Sequence, residues 1–281
     1  MNAWRTVQLA RHPARPTGGE LARMASDYLF ELRGDGHGRD DPSVLAGVAV
    51  VSDHHLVLVA VDKGRGTEER KKRRQGMPLP EGFHKARRAF SLASKLGLPL
   101  LCLVDTPGAF PGAEAEEGGQ ARSISRNLAR LVTLPVPILS VFTGEGGSGG
   151  ALALSLGDVV LMMENAYFSV IAPEGCASIL WKDAAQAPQA AEFLGLTAPE
   201  LLRLGLVEGI IEEPGEGAHT DPRSAALNLR RAVGEHLSLL KSVPLANLLE
   251  RRRERYRHLG HFVELEDVEE VQDGSLLASS S

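Results

Sequence analysis

The chain has 281 residues, 43 % hydrophobic and 24 % charged, with a formal net charge of −5. That size carries one large or two small globular domains, and the charge gives no general case for nucleic-acid binding. No apolar run reaches the roughly 18 residues of a membrane span, residues 1–16 hold no secretion-signal stretch, and the two isolated cysteines, Cys102 and Cys176, fit neither a zinc nor a disulfide pattern; reduced, buried thiols, no metal and a cytoplasmic location are the expectation.

Residues 1–42 read as a polar, irregular segment with one helix, about Gly19 to Leu32, on the helical spacing of Leu21, Met24, Ala25, Tyr28 and Leu32. Glycines at 34, 36 and 38 end it. The Arg33-Gly34-Asp35 triplet is a loop rather than an adhesion motif in a chain without a secretion signal. Val44–Val51 and His55–Val61 read as a β-hairpin with His54 and His55 at its turn. The basic run from Lys63 to Met77 reads as a mobile, solvated loop, with a phosphorylated ligand or an acidic partner as the alternative.

A helix is expected from Pro80 to Leu96, with Phe83, Ala86, Phe90, Ala93 and Leu96 inward, Lys85, Arg87, Arg88 and Lys95 outward, and Gly97 as its cap. The apolar run Leu98–Val104 is a buried strand ending in the Pro/Gly-rich loop Asp105–Gly112. Glu114, Glu116 and Glu117 read as helix N-terminal acids rather than cation ligands. A helix follows from about Glu117 to Leu131. Beyond come short strands at Val159–Met163 and Tyr167–Ile171, then helices at Pro173–Trp181 and Asp183–Leu194. Thr197 and Glu200 have the spacing of a capping box. A last strand is expected at Leu206–Ile211, and helices over Asp221–Lys241 and Pro244–His258. The domain limits are thus 1–42, a main domain over 43–243, and 244–281 as a C-terminal helix and frayed tail.

The centre of the chain is Val136–Gly157. An apolar strand runs into five glycines (Gly144, Gly146, Gly147, Gly149 and Gly150), and a small-residue helix leaves them. Strands alternating with helices, with glycine loops at strand ends, indicate an α/β protein. A strand, glycine turn and helix N-terminus aim unpaired N–H groups at one spot, which suits a phosphate or a reaction oxyanion. There is no Lys-Ser/Thr after the glycines, so this is no nucleotide P-loop. Gly144-x-Gly146-x-x-Gly149 matches a dinucleotide pattern weakly, and Gly146–Gly150 satisfies Gly-x-Ser-x-Gly around Ser148 without an evident base. Close packing of helix on sheet also explains glycines.

Three ordered stretches carry a resemblance. They are Asp105-Thr106-Pro107-Gly108-Ala109-Phe110-Pro111-Gly112, Gly144–Ala153, and Ser169–Lys182. With Val7–Pro13, Gly76-Met77-Pro78, Pro80-Glu81-Gly82 and Gly217-Ala218-His219, they span about Trp4 to Pro222. This run resembles the carboxyltransferase alpha subunit of bacterial acetyl-CoA carboxylase. The resemblance implies a crotonase-type fold, a spiral of ββα units with flanking helices, paired with a beta subunit in an α2β2 assembly. It implies carboxyl transfer from carboxybiotin, borne by a biotin carboxyl carrier protein, to acetyl-CoA, giving malonyl-CoA for fatty acid synthesis. The thioester enolate would be held mainly by the partner. The ureido oxygen would be held by backbone amides at Gly149 and Gly150, with Gly146, Gly147, Ser148, Gly108 and Ala109 lining the substrate site. Against the family pattern, a helical extension before Trp4 is missing, so the expectation is that a tetramer contact or a fused partner is absent. Ala60-Val61-Asp62-Lys63-Gly64 replaces Gly-His-Gln-Lys-Gly, and Gly118 stands where arginine is usual. The rival readings are a self-sufficient acyl-CoA hydratase or isomerase using Glu114, Glu116 or Glu117, and a non-catalytic paralogue regulating the carboxylase.

Overall fold

A computed structural model describes residues 2–260. The last ten or so residues, expected to fray, lie outside them. The chain opens with two helices, α1 (Ala3–Ala10) and α2 (Gly18–Ala25). The second starts in a capping box: Glu20 N–H donates to Thr17 Oγ1 at 3.2 Å, and Thr17 N–H donates to Glu20 Oε2 at 2.9 Å. The helix expected to reach Leu32 stops at Ala25, because Tyr28–Glu31 is drawn off as an edge strand, β1. Tertiary pairing overrides the apparent helical spacing there, and Tyr28 and Phe30 stand exposed on the edge.

β2 (Val44–Val51) and β3 (His54–Val61) form the predicted hairpin. Its turn is Ser52-Asp53, with φ of 48° and 64°. Positive φ at both central residues matches the right-handed twist of the flanking strands. His54 is not free: its Nε2 lies 3.2 Å from Gly234 O and 3.1 Å from Ser238 Oγ.

The basic run is structured rather than a loop. It holds α3 (Gly66–Lys72) and a 3-10 turn at Arg74–Gly76. Lys63 is buried, Arg73 is bonded to Asp62 and Pro42 O, and Arg74 pairs with the fully buried Asp41. Asp62, one of the departures from the family pattern, also accepts from Thr17 Oγ1 and Gly64 N–H. The charges pin this segment to the body, leaving Lys71 and Lys72 outward.

α4 (Pro80–Leu96) has the expected limits, and Gly97 caps it with φ 63°. Two positions differ. Lys85 is buried against Asp40 at 2.9 Å, and Leu96 is 53 % exposed. β4 (Leu100–Thr106) is buried along its length. α5 (Ala113–Glu117) and α6 (Gln120–Val132) follow. β5 (Ile138–Gly147) is buried at all ten positions, as a central parallel strand covered on both faces must be. It runs straight through Gly144, Gly146 and Gly147, so three of the five glycines belong to strand rather than loop. α7 (Ser148–Ser155) leaves it at once.

The remainder is β6 (Val159–Met163), β7 (Tyr167–Ser169), α8 (Pro173–Trp181), α9 (Ala187–Phe193), α10 (Ala198–Arg203), β8 (Gly209–Ile211), α11 (Pro222–Lys241) and α12 (Leu245–Arg257). Sheet order is β1-β2-β3-β4-β5-β6-β8, with β7 pairing the far end of β5. The first three strands are antiparallel neighbours; β3 to β8 run parallel. The capping box expected at Thr197 does not form, because Glu200 turns to Arg203 (2.5 Å). Cys102 is buried as expected, but Cys176 is only half-buried on α8. Among the described residues no helix is long and apolar enough to cross a membrane.

α12 is fastened by Arg252, with Arg255 pairing with Glu208 at 2.6 Å and the Tyr256 hydroxyl donating to Gly157 O at 2.9 Å. Arg252 is 1 % exposed. Its guanidinium donates to the carbonyls of Leu131, Leu134 and Val136 and to both oxygens of Asp158, all at 2.7 to 2.9 Å. Every donor nitrogen of a buried, planar group is thereby satisfied.

Candidate active site at the glycine turn

The site forms where the ladder between β4 and β5 breaks. Val104 faces Phe142 and Thr106 faces Gly146, so one residue, Asp105, spans three, Thr143 to Glu145. Such a bulge leaves backbone groups unpaired. Side chains take them. Asp105 Oδ1 accepts the Glu145 N–H at 2.9 Å, and Arg15 donates to Thr143 O at 2.8 and 3.0 Å. Arg15 is itself buried and held bidentate by Glu213 at 2.5 and 2.8 Å.

Beyond the bulge the chain turns from strand to helix at Ser148, whose φ is 50°. A non-glycine residue there is strained, and the strain sits at the turn itself. Ser148, Gly149 and Gly150 are the first three residues of α7, so their N–H groups have no acceptor within the helix. Ser148 is exposed and Gly149 half-buried. The loop after β4 folds against them. Thr106 Oγ1 accepts the Gly108 N–H at 3.0 Å and donates to Gly108 O at 2.7 Å. Gln120 donates to Pro78 O and Phe110 O, fixing the loop from the other side. A Cβ on Gly150 would lie 2.5 Å from Ala109 N and from Gly108 C, and one on Gly147 would collide with Pro107 O.

Gly108, Ala109, Gly147, Ser148, Gly149 and Gly150 therefore lie side by side. Gly146 does not reach the opening. It is buried in the sheet, pairing with Thr106 and Phe168, and packs on the Phe142 ring. Close packing accounts for most of these glycines: Gly144, Gly146, Gly147 and Gly150 are glycine for close approach, whereas a Cβ on Gly149 would make only an ordinary contact with Ile124.

Ser148 and Gly149 open on a cavity of about 310 Å³, walled by Leu152, Phe168, Val170, Leu194 and Leu204 among others. Among the described residues no ionisable side chain lines it. Ser148 thus has no histidine or carboxylate beside it there, and a serine-hydrolase arrangement is unsupported. Glu114, Glu116 and Glu117 are exposed on α5 and do not line the cavity. His219 stacks on His12 with ring centroids 4.1 Å apart, elsewhere.

Sequence reasoning missed the ionic network behind the turn. Glu145, 7 % exposed, receives Lys63 Nζ at 2.7 Å, Arg11 Nε at 2.7 Å and the Tyr167 hydroxyl at 2.6 Å. Lys63 also meets Asp105 Oδ1 at 2.7 Å, and Arg11 also meets Glu174 at 2.6 Å. Burial works to raise the Glu145 carboxyl, but Lys63 and Arg11 outweigh it and hold the group at about 2. Burial likewise works against a charged Lys63, and Asp105 and Glu145 overcome it, so its ammonium is held above the ordinary range. Burial and Glu145 push the Tyr167 phenol up. One signal was available: a lone charged residue, Glu145, in a strand otherwise of apolar, glycine and hydroxyl residues demands a buried cation.

The family described as acetyl co-enzyme A carboxylase carboxyltransferase-like matches residues 1–260. The alpha subunit of acetyl-coenzyme A carboxylase carboxyl transferase from Burkholderia vietnamiensis is 49 % identical over 265 residues, covering 94 % of this chain and 82 % of that protein. The subunits beta/alpha protein of Salinispora arenicola is 50 % identical over 259 residues, 92 % of this chain. The chain spans only 46 % of the length of that relative. Among solved structures, transcarboxylase 12S with methylmalonyl-coenzyme A and methylmalonic acid bound superposes with a TM-score of 0.66 at 19 % identity, over 84 % of this chain and 44 % of that one. A Pseudomonas malonate decarboxylase hetero-tetramer in complex with coenzyme A gives 0.61 at 17 % identity, over 78 % and 89 %. These likenesses establish the crotonase-type α/β fold. On the family match along nearly all the described residues, the chain belongs to the acetyl-CoA carboxylase carboxyltransferase family, on its alpha-subunit side.

Proposed function

We propose that this chain is the alpha half of a biotin-dependent carboxyltransferase, active only with a beta subunit. It would move a carboxyl group from carboxybiotin on a carrier protein to acetyl-CoA, giving malonyl-CoA in the cytoplasm. One observation carries the reading: the first N–H groups of α7, which have no acceptor within the helix, begin at Ser148 and Gly149 on the wall of an apolar, open cavity, with Gly150 buried just behind them. A bicyclic ureido group fits such a place, since its rings want apolar walls and its carbonyl oxygen wants donors.

The biotin supplied by the carrier brings the carboxyl group. The chain's own part is electrostatic. Gly149 and Gly150 N–H groups point to the ureido oxygen and stabilise negative charge as it develops there, more than in the ground state. Gly108, Ala109, Gly147 and Ser148 shape the opening around them. The acyl-CoA side is left to the beta subunit, in keeping with beta and alpha standing in one relative's name. An α2β2 assembly belongs to the same reading.

The test mixes the purified chain with its beta partner, free biotin and malonyl-CoA, and follows transfer in either direction. Activity in the mixture and none in either chain alone is expected. Turnover of an acyl-CoA by this chain alone would overturn the reading in favour of a self-sufficient hydratase or isomerase. An inactive mixture in which the chain still binds the beta partner would favour a regulatory paralogue.

A further inference from the structure

We propose that Lys63 is a positioning residue for the glycine turn: its ammonium, clamped between Asp105 and Glu145, sets the separation of the β4 and β5 ends and so the direction of the turn's N–H groups. The proposal rests on the functional reading above.

The geometry is specific. Lys63 Nζ stands 2.7 Å from Asp105 Oδ1 and 2.7 Å from Glu145 Oε1. These carboxylates belong to the two strands whose ladder is interrupted at that level. Asp105 lies three residues before Gly108 and Glu145 three before Ser148. The cation therefore bridges the two segments that meet again at Ala109 and Gly150. Lys63 itself comes from the end of the hairpin strand β3, and Gly76 packs on its side chain. It is thus anchored on the side of β4 away from β5, and its side chain reaches across to the β5 end.

An alternative role is charge balance alone. Removing the ammonium takes the cation from buried Asp105 and leaves Glu145 to Arg11 alone, which costs stability whatever the turn does. A positioning role makes a further demand: the turn should lose its orientation even when charge is rebalanced.

The experiment uses the full chain with its beta partner and three forms: wild type, Lys63→Met, and Lys63→Met with Glu145→Gln. The double variant removes one charge of each sign. Two readouts are taken: the kcat and KM of transfer with malonyl-CoA, and amide hydrogen exchange of the segment 143–155 in the chain. For the double variant, kcat should fall about 10- to 100-fold with KM for malonyl-CoA nearly unchanged, the loss expected from misplacing a catalytic group by a fraction of an ångström to an ångström. Exchange in 143–155 should rise about tenfold while distant helices stay as protected as in wild type. A double variant with wild-type kcat and wild-type exchange in 143–155 overturns the proposal, whether or not the single variant folds. If wild type transfers nothing with its partner, the functional reading falls, and exchange alone still decides whether Lys63 holds the turn.

Discussion

Gly150 stands directly against Ala109: a Cβ built on the glycine would lie 2.5 Å from the alanine nitrogen. Gly149, one residue earlier, meets only Ile124 Cδ1 at 3.5 Å, an ordinary contact. Adjacent glycines are therefore glycine for different reasons, one to let backbone touch backbone and one to leave a cavity open.

The two should separate in experiment. Gly150→Ala forces the Gly108–Ala109 peptide away and should cost about 1–3 kcal/mol in urea unfolding, as overpacking does. Gly149→Ala should be neutral, or stabilising by up to about 1 kcal/mol, since it replaces glycine in a helix. Gly149→Val keeps the N–H but sets a branched side chain beside it, and should fold yet lose about 100-fold in transfer rate if the developing oxyanion must reach that N–H. Full transfer activity in Gly149→Val would remove that residue from the site.

Acid should undo the Glu145 network. Its folded value, about 2, lies below the ordinary 4.5. The unfolded chain therefore takes up this proton at higher pH than the folded chain. The stabilisation is full above about pH 4.5 and is lost as pH falls toward 2, and its size is of order 3 kcal/mol. Urea unfolding of wild type and Glu145→Gln at pH 7, 4 and 3 should show the difference between them shrinking as pH drops. A constant difference would mean that the carboxylate's charge is not what matters.

Thr17 and Thr197 make a controlled comparison of helix starts. Thr17 completes a capping box and also donates to Asp62 at 2.9 Å. Thr197 makes no side-chain cap. Thr17→Ala should cost about 1–2 kcal/mol, and Thr197→Ala within about 0.5 kcal/mol, by thermal or urea melts.

Arg252→Met should destabilise by about 3–5 kcal/mol, because Asp158 is left charged and unpaired in the interior. Adding Asp158→Asn should recover part of the loss. A double variant no more stable than the single one would show that the three carbonyls, rather than the carboxylate, dominate the cost.

The sequence shows most clearly those features set by local chemistry. The hairpin was legible because β-branched runs flank Ser52-Asp53, and α4 because proline opens it and Gly97 closes it. The glycine turn and the loop at Gly108–Ala109 were legible as companions from their ordered motifs. What stayed hidden depended on distant partners. Tyr28 and Leu32 have helical spacing with Leu21, but β2 needs an edge partner and takes Tyr28–Glu31. Lys85 reads as a wet residue until Asp40 is folded over it. Glu200 has capping spacing, yet Arg203 competes for it and wins. Lys63 looked like one charge of a solvated run. Its two partners lie 42 and 82 positions away, beyond the reach of any local pattern.

The clasp at Arg252 also bears on the order of events during synthesis. The carbonyls of Leu131, Leu134 and Val136 are made 121, 118 and 116 residues before the side chain that satisfies them. As the chain leaves the ribosome, the sheet and its glycine turn can assemble while those oxygens still face solvent. Docking of α12 then dries that end of the molecule in a late step. A nascent chain arrested before residue 252 should hold a folded sheet with an unsealed seam beneath α6, the surface a chaperone would meet.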